Sequence, residues 1–165
     1  IKSGRLVDDK TMANVVKREL IGNKWLSSSF LLDGFPRTIG QAKALSFVLH
    51  DYPINCVVEL DVPREVIMDR ICNRWIHPAS GRVYNLKYNP PVTPFKDDIT
   101  GEDLIQRADD TPETVNIRLD QYYSQLGPIR DYYKSFSDIY HVISGSTSDI
   151  VAPKLQNLVH SLYKH

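Results

Sequence analysis

Apolar positions along the chain alternate between helix-type and strand-type spacing. The first stripe, at positions 12, 15, 16 and 20, follows the candidate N-caps Asp8 and Asp9 and stops near Gly22. This spacing predicts a helix. The next apolar run, Ser29–Leu32, is short, and we interpret it as a buried strand.

The following helix and strand have clear boundary signals. Thr38 and Gln41 have the spacing of a capping box, whose two side chains satisfy backbone N–H groups at a helix start. The apolar run from Asn55 to Val62 predicts a second strand. Pro63 then suits the first turn of another helix.

Residues 75–110 have a different character. They contain four of the ten prolines and alternate aromatic with polar residues, which predicts a small β-rich insertion. Thr111 and Pro112 then start a long helix, which we expect to bend near Gly127–Pro128. A third strand pattern at 138–143 leads into a C-terminal helix, whose apolar pattern predicts an inward face of Ile150, Leu155, Leu158 and Val159.

This order of elements predicts an α/β fold with a parallel sheet and helices on both faces. We assign residues 1–74 and 111–165 to the core and residues 75–110 to a lid, since long insertions in compact domains are often functional lids. Three strands are few for such a sheet.

The composition excludes several classes of protein. Lys plus Arg and Asp plus Glu each number 20, so the formal net charge is +0, and 42% of the residues are hydrophobic. This balance argues against a disordered chain, a nucleic-acid binder and a membrane-surface binder. No apolar run approaches the roughly 18 residues of a membrane span. Cys56 and Cys72 form no C-x-x-C pair, and we interpret both as core residues.

The segment Asp33–Arg37, D-G-F-P-R, carries the clearest chemistry. The predicted strand delivers Asp33 to its carboxyl end, where open α/β sheets bind ligands. Gly34 lets the backbone approach a ligand closely, Pro36 stiffens the turn, and Arg37 offers a planar fork suited to phosphate. The alternative is a plain strand-to-helix turn with a surface arginine.

Several arginines form a second group, for which two interpretations stay open. Arg70 and Arg74 are four residues apart on what we predict to be one helix face, where like charges repel unless an anion or an acid compensates them. Asp109 and Asp110 are candidate acid partners, so a salt-bridge network is the alternative to an anion site. The remaining members of the group are Arg82, Arg107 and Arg118.

The insertion also contains two polar pairs with metal-ligand spacing, His77 with Ser80 and Asp97 with Thr100. Ser and Thr are poor zinc ligands, and the insertion contains no cysteine. We therefore interpret the four side chains as a hydrogen-bonded network that joins two hairpins, and we expect no zinc.

Together these motifs resemble the adenylate kinases, within the nucleoside monophosphate kinases. The resemblance covers nearly the whole chain, in order: D-G-F-P-R-T-x-x-Q at 33–41, R-W-I-H-P-A-S-G-R-V-Y-N at 74–85, N-P-P at 89–91, D-D at 97–98 and T-G-E at 100–102. It implies a P-loop-kinase-like parallel sheet with a long, zinc-free lid. The residues around Trp75 and His77 are most similar to the mitochondrial GTP:AMP phosphotransferase branch, which includes fungal members.

The resemblance implies reversible transfer of the terminal phosphoryl group from GTP or ATP to AMP, with Mg²⁺ bound to the nucleotide. It places AMP against the segment near 1–22 and the D-G-F-P-R loop, with Arg37 on the phosphate and Gln41 on adenine. The implied AMP-binding residues are Arg5, Leu6, Val7, Gly34, Phe35, Pro36, Arg37 and Gln41.

The resemblance also implies roles in the transfer itself, which needs positioning and preorganised positive charge rather than a covalent nucleophile. Asp33 organises Mg²⁺ through water. The arginines that neutralise the moving phosphoryl group are Arg70, Arg74, Arg107 and Arg118. The implied triphosphate-binding residues are Arg74, Val83, Tyr84 and Thr147, the last in a loop with Gly145 beside the donor base. The implied lid network is His77, Ser80, Asp97 and Thr100.

One departure from the family is large. No G-x-x-x-x-G-K-[ST] motif occurs in the chain, whose eight glycines are widely dispersed. The resemblance implies that the family's first strand and P-loop precede Ile1, in a stretch of roughly 30 residues or more. Three readings stay open: a piece of an active kinase, which we favour, a truncated non-catalytic nucleotide-binding remnant, or an interaction module without nucleotide.

The donor also stays open between GTP and ATP, because base choice rests largely on backbone contacts. We expect nucleotides as the partners, no nucleic acid, no membrane, and a monomer for the complete protein. The branch implies the mitochondrial matrix, with the cytoplasm as the alternative, since any presequence would precede Ile1.

Overall fold

A computed structural model of the protein describes residues 9–22 and 29–163. The helices are α1 (Asp9–Gly22), α2 (Ile39–Val48), α3 (Arg64–Cys72), α4 (Pro112–Lys134) and α5 (Ser148–Leu162). The strands are β1 (Val57–Asp61), β2 (Arg74–Ile76), β3 (Val83–Asn85) and β4 (Tyr140–Ser144). Contacts divide the described residues into a first unit, 9–22, 29–61 and 120–163, and a second unit, 62–119.

The first unit contains a parallel strand pair with flanking helices, which confirms the predicted α/β class. Val57 of β1 pairs with Tyr140 of β4, and Asp61 pairs with Ser144. Both strands therefore end at the same edge, where parallel sheets bind ligands. Helix α5 follows β4 and packs against it.

The hydrophobic core of the first unit lies where α1 packs against α2. It is formed by the buried side chains of Leu20, Leu45 and Leu49. Partly buried apolar side chains surround it: Val16, Phe30, Leu32, Phe35, Val48 and Ile54. The predicted first helix is thus confirmed, with Val16 and Leu20 on the core side, whereas Val15 of the predicted stripe is 41% exposed.

The segment 29–32 is not a strand, contrary to the prediction. Phe30 and Leu32 pack against the core, but Leu31 is 89% exposed. No part of the chain that the structure describes pairs with this segment. An extended segment becomes a strand only when a neighbour completes its hydrogen bonds. Asp33 therefore follows a segment that no described strand pairs with.

The second unit contains the predicted β-rich insertion. Strands β2 and β3 form an antiparallel pair, in which Trp75 lies opposite Tyr84. A single bridge joins Ile76 to Ile105, and another joins Lys96 to Asp103. Short strands with irregular connections are what the many prolines of this segment predict.

Helix α3 ends before Arg74, so the prediction that Arg70 and Arg74 share a helix face was wrong. The backbone N–H of the C-cap Asn73 donates to Asp69 O at 3.1 Å, and the side-chain amide of Asn73 donates to the same oxygen at 2.8 Å. These bonds satisfy a carbonyl of the last turn, and Asn73 is the C-cap, with φ −105° and ψ 16°. Arg74 is then the first residue of β2.

Helix α4 contains Pro128 in its interior, and the predicted bend there stays a prediction. In α5, Ile150 is 44% exposed and Val159 is 41% exposed, so neither is the buried residue that the apolar pattern predicted. None of the described helices has an apolar stretch long enough to cross a bilayer.

Candidate functional site

The D-G-F-P-R segment forms a tight turn ahead of α2. Gly34 has φ +67°, a left-handed conformation that other residues rarely adopt. Arg37 Nε donates to Gly34 O at 2.6 Å, so the guanidinium folds back onto the turn. A Cβ on Gly34 would lie 2.9 Å from Arg37 Nη2. The backbone conformation therefore favours glycine, whereas the close atom is the end of a flexible side chain that can move aside.

The start of α2 fixes the backbone of Arg37. Thr38 Oγ1 accepts from the N–H of Gln41 at 3.1 Å, and Gln41 Oε1 accepts from the N–H of Arg37 at 2.8 Å. Thr38 also donates to Asp9 Oδ1 of α1 at 2.7 Å. The predicted cap is confirmed, although Gln41 reaches Arg37 instead of Thr38. An exposed guanidinium at a helix N-terminus is an arrangement that suits a phosphate.

Asp33 begins this turn with an exposed side chain. Within the described ranges, no cluster of three or more His, Cys, Asp and Glu side chains could hold a metal ion. Mg²⁺ usually keeps several waters and takes one or two carboxylates plus substrate phosphates. A single exposed carboxylate fits that mode of binding.

Two arginines of the second unit pair with consecutive acids. Arg74 Nε and Nη2 donate to the two carboxylate oxygens of Asp110 at 2.8 and 2.6 Å, and Arg118 Nη1 lies 3.4 Å from Asp109 Oδ2. The hydrogen bond to Asp110 raises the pKa of Arg74. Of the two acids named from the sequence as partners for Arg70 and Arg74, Asp110 pairs with Arg74 as predicted, whereas Asp109 pairs with Arg118. A bidentate pair occupies one edge of a guanidinium and leaves its other amino group for an anion.

The other two arginines are placed differently. The guanidinium carbon of Arg70 lies 5.0 Å from the ring centroid of Tyr88, within cation–π distance. Arg107 is exposed, and its side chain makes no hydrogen bond or ion pair with the part of the chain that the structure describes. An exposed, uncommitted arginine is suited to meet an anion.

A polar network centred on Asp97 organises the insertion. Arg82 Nε and Nη2 donate to its two oxygens, each at 2.7 Å, and the Tyr84 hydroxyl donates at 2.9 Å. Thr100 Oγ1 donates at 3.0 Å. The bonds from Arg82 are the largest cause that holds the pKa of Asp97 far below its usual range. A buried carboxylate with this many donors stays ionised.

His77 joins this network to the neighbouring hairpin. Its Nδ1 lies 2.8 Å from Ser80 Oγ, and its Nε2 lies 2.6 Å from Glu102 Oε2. The four polar side chains proposed from the sequence thus lie together, and Arg82, Tyr84 and Glu102 complete the set. Glu102 was missed as a member because its spacing matches neither pair.

The two residues expected to contact the triphosphate in the insertion differ in exposure. The Tyr84 side chain is buried, 5% exposed, and its hydroxyl is committed to Asp97 and to the N–H of Asp98. Only the backbone of Tyr84 can therefore meet a ligand. Val83 is 50% exposed.

Thr147 lies at the carboxyl edge of the parallel pair, as the N-cap of α5. Its carbonyl accepts from the N–H of Ile150 at 3.2 Å and of Val151 at 3.0 Å, but its side chain makes no cap hydrogen bond. Arg5, Leu6 and Val7, expected at the AMP base and ribose, lie outside the described residues.

Comparison with known proteins agrees with these motifs. The family model described as adenylate kinase matches residues 1–138. The chain belongs to the adenylate kinase family.

Three curated proteins of known name are similar in sequence to this chain. The chain is 50% identical, over 99% of its length, to a protein of Saccharomyces cerevisiae named GTP:AMP phosphotransferase, mitochondrial, and covers 71% of it. It is 50% identical, over 92% of its length, to a protein of that name from S. cerevisiae strain ATCC 204508 / S288c, and covers 68% of it. An adenylate kinase of Kluyveromyces lactis is 49% identical over 79% of the chain, which covers 59% of that protein.

Sequence reasoning missed one buried cluster of this adenylate kinase family member. Glu59 on β1 is 8% exposed and accepts from Arg130 Nε and Nη2 of α4 at 3.0 and 2.6 Å. The Tyr140 hydroxyl of β4 also donates to it. An acid inside an apolar strand run was the available signal, since a buried charge needs a partner. The identity of that partner was not visible in the pattern.

Proposed function

We propose that this member of the adenylate kinase family catalyses reversible transfer of the terminal phosphoryl group from GTP or ATP to AMP. The observation that carries the proposal is the exposed guanidinium of Arg37, fixed on Gly34 O at the N-terminus of α2. The family match supports the reaction class. The names of the S. cerevisiae relatives support GTP as a donor.

Arg37 binds the AMP phosphate in this proposal. Its Nε is occupied by Gly34 O, so the two amino groups of the fork face the ligand. Phe35 and Pro36 shape the turn, with a cis bond between them. The buried Gln41 holds the backbone of Arg37 through Oε1, which leaves the N–H groups of its side-chain amide for adenine.

Arg70, Arg74, Arg107 and Arg118 neutralise the phosphoryl group in transfer. Arg74 and Arg118 are held by acids at one side of each guanidinium, which preorganises their remaining donors. Preorganised charge costs no reorganisation at the moment of reaction. Bound Mg²⁺ would neutralise charge on the nucleotide phosphates, and Asp33 would hold it through water.

The proposal is tested by an assay of phosphoryl transfer on the purified protein. AMP is offered with GTP or with ATP, and the nucleoside diphosphates are quantified by chromatography. The expected result is diphosphate formation that requires AMP, a triphosphate and Mg²⁺. Lys43→Met, an exposed position on α2, is a control expected to match the unchanged protein.

Binding of a bisubstrate dinucleotide separates the alternatives. Protection in a thermal melt without any phosphoryl transfer would contradict the catalytic proposal and favour a nucleotide-binding protein. Absence of both protection and transfer would favour an interaction module.

For the compartment we propose the mitochondrial matrix, supported by the names of the S. cerevisiae relatives. Cofractionation of the native protein with a matrix marker tests this proposal.

A further inference from the structure

Three hydrogen bonds hold the chain where β1 and β4 end. The Ser144 hydroxyl donates to Asp61 Oδ2 at 2.9 Å, and the N–H of Gly145 donates to Asp61 O at 3.1 Å. Lys154 of α5 donates through Nζ to Ser144 O at 2.7 Å. We call Asp61, Ser144 and Lys154 the strand-end lock.

The first turn of α5 lies directly against the segment that leaves this lock. A Cβ on Gly145 would lie 2.7 Å from Val151 Cγ2 and 3.0 Å from Ile150 Cγ2. Glycine is therefore required for close approach, and the backbone rests on the helix. The start of segment 145–147 is thus tied to β1 by the bond to Asp61 O and to α5 by this contact, and Lys154 holds the residue just before it, Ser144, to α5.

These ties can affect the choice between guanine and adenine, because a protein distinguishes the two bases through hydrogen-bond donors and acceptors at fixed positions. Guanine offers an N–H at the ring position where adenine has an acceptor nitrogen, and the exocyclic groups of the two bases are likewise opposed. A backbone carbonyl or N–H distinguishes them only when it is held in place, since a misplacement of about 1 Å is costly. A site built to hydrogen-bond one pattern rejects the other because its polar groups are left unpaired.

We propose that the strand-end lock positions the backbone of residues 145–147 and thereby sets the selectivity between GTP and ATP. This inference rests on the proposed function and on the position beside the donor base that the family resemblance implies for the loop with Thr147. Asp61, Ser144 and Lys154 are positioning residues, since they act through the loop. The side chain of Thr147 is not used to cap α5, so the loop retains a hydroxyl for the ligand.

The test measures dissociation constants for GTP, ATP and AMP by calorimetry on the whole protein and on Ser144→Ala, Lys154→Met and the double variant. Exposed charge-assisted bonds are modest, so each single variant should weaken the preferred donor about three- to fivefold. The double variant should weaken it about tenfold and bring the GTP-to-ATP ratio towards one. AMP binding should stay within about twofold of the unchanged protein.

Matched variants separate positioning from general damage. Ser161→Ala removes a similar exposed hydroxyl bond on α5, and Lys43→Met removes an exposed lysine on α2. Neither should change the donor ratio. Lys154→Arg keeps the donor group and should restore the selectivity. Equal weakening of AMP and donor with a lower melting temperature would overturn the proposal, because it would indicate a merely structural role.

Amide exchange tests the positioning of the loop separately from nucleotide binding, and so separately from the proposed function. The N–H of Gly145 should exchange at least about threefold faster in the double variant, because its neighbours lose their ties. If the unchanged protein bound neither triphosphate, the proposed function and the selectivity would both be overturned. Faster exchange would then still support the positioning of the loop. An unchanged donor ratio together with unchanged exchange would overturn the strand-end lock itself.

Discussion

Asp97 in the second unit and Glu59 in the first are two carboxylates that accept hydrogen bonds from the same kinds of side chain. Each accepts both bonds of a bidentate arginine, Arg82 for Asp97 and Arg130 for Glu59. Each also accepts from a tyrosine hydroxyl. In both places the arginine is the largest cause that lowers the pKa of the carboxyl group.

The two sites differ in where their partners lie along the chain. Arg82 and Thr100 are 15 and 3 residues from Asp97. Arg130 and Tyr140 are 71 and 81 residues from Glu59. Asp97 thus organises its own hairpins, whereas Glu59 joins β1, α4 and β4. The loss of Asp97 should therefore disturb one segment, and the loss of the Glu59 partners should weaken the packing of the first unit.

The largest effect is expected from Asp97→Asn. The amide places an N–H group against the donors of Arg82 and removes a carboxylate that also accepts from the N–H groups of Ile99 and Thr100. Exchange of those two amide protons should accelerate at least about a hundredfold. Asp98→Asn is the matched control, because Asp98 is exposed and its Oδ1 accepts one bond, from Val92.

The same carboxylate predicts a dependence on pH. The folded pKa of Asp97 lies below its unfolded value of about 3.9, so its stabilisation is present above that pH and is lost as the pH falls below it. Asp97→Asn should remove this part of the acid sensitivity. Equal acid sensitivity of the two proteins in amide exchange of residues 99 and 100 would contradict the assignment.

A smaller effect is expected from Arg130→Met. The substitution leaves the buried Glu59 with Tyr140 as its remaining bonded partner in the cluster. We therefore expect the free energy of unfolding to fall by about 2 kcal/mol. Breaking a fully buried pair costs more, but the Arg130 side chain is 37% exposed. Urea unfolding followed by circular dichroism measures the change. Arg18→Met, on a 79% exposed side chain, should change little, and an equal loss there would contradict the comparison.

The smallest effect is expected from Tyr140→Phe, about 1 kcal/mol for one hydrogen bond. Burial first, and then the bond to Glu59, raises the pKa of Tyr140 to about 12. The neutral hydroxyl therefore stabilises the fold up to about pH 10, and this contribution is lost between about 10 and 12. Ultraviolet titration should show one late-ionising tyrosine fewer in the variant. An unchanged count would contradict the environment assigned to Tyr140.

The same contrast between near and distant partners explains what sequence could predict. The capping pair Thr38 and Gln41 and the network around Asp97 depend on residues close in sequence, and both were visible as spacings. The strand expected at 29–32 depended on a neighbour, and the described residues supply none. The helix face expected for Arg70 and Arg74 failed because Asn73 ends the helix between them.

The two partners of Glu59 could not be chosen from the sequence for the same reason. Register and helix packing bring them together, and neither leaves a local pattern. The role of Arg37 lies between these cases. Its turn was predictable from D-G-F-P-R, but the bond that folds its guanidinium onto Gly34 was not.

The most direct test of the account is the effect of Arg37→Ala on AMP. Loss of charge-assisted bonds to a phosphate is worth about 2–3 kcal/mol, so the dissociation constant for AMP should rise roughly 30- to 150-fold. The constants for GTP and ATP should stay within about twofold. Arg37→Lys, which keeps the charge and loses the fork, should fall between the two. An unchanged AMP constant in Arg37→Ala would contradict the assignment of this turn to the AMP phosphate.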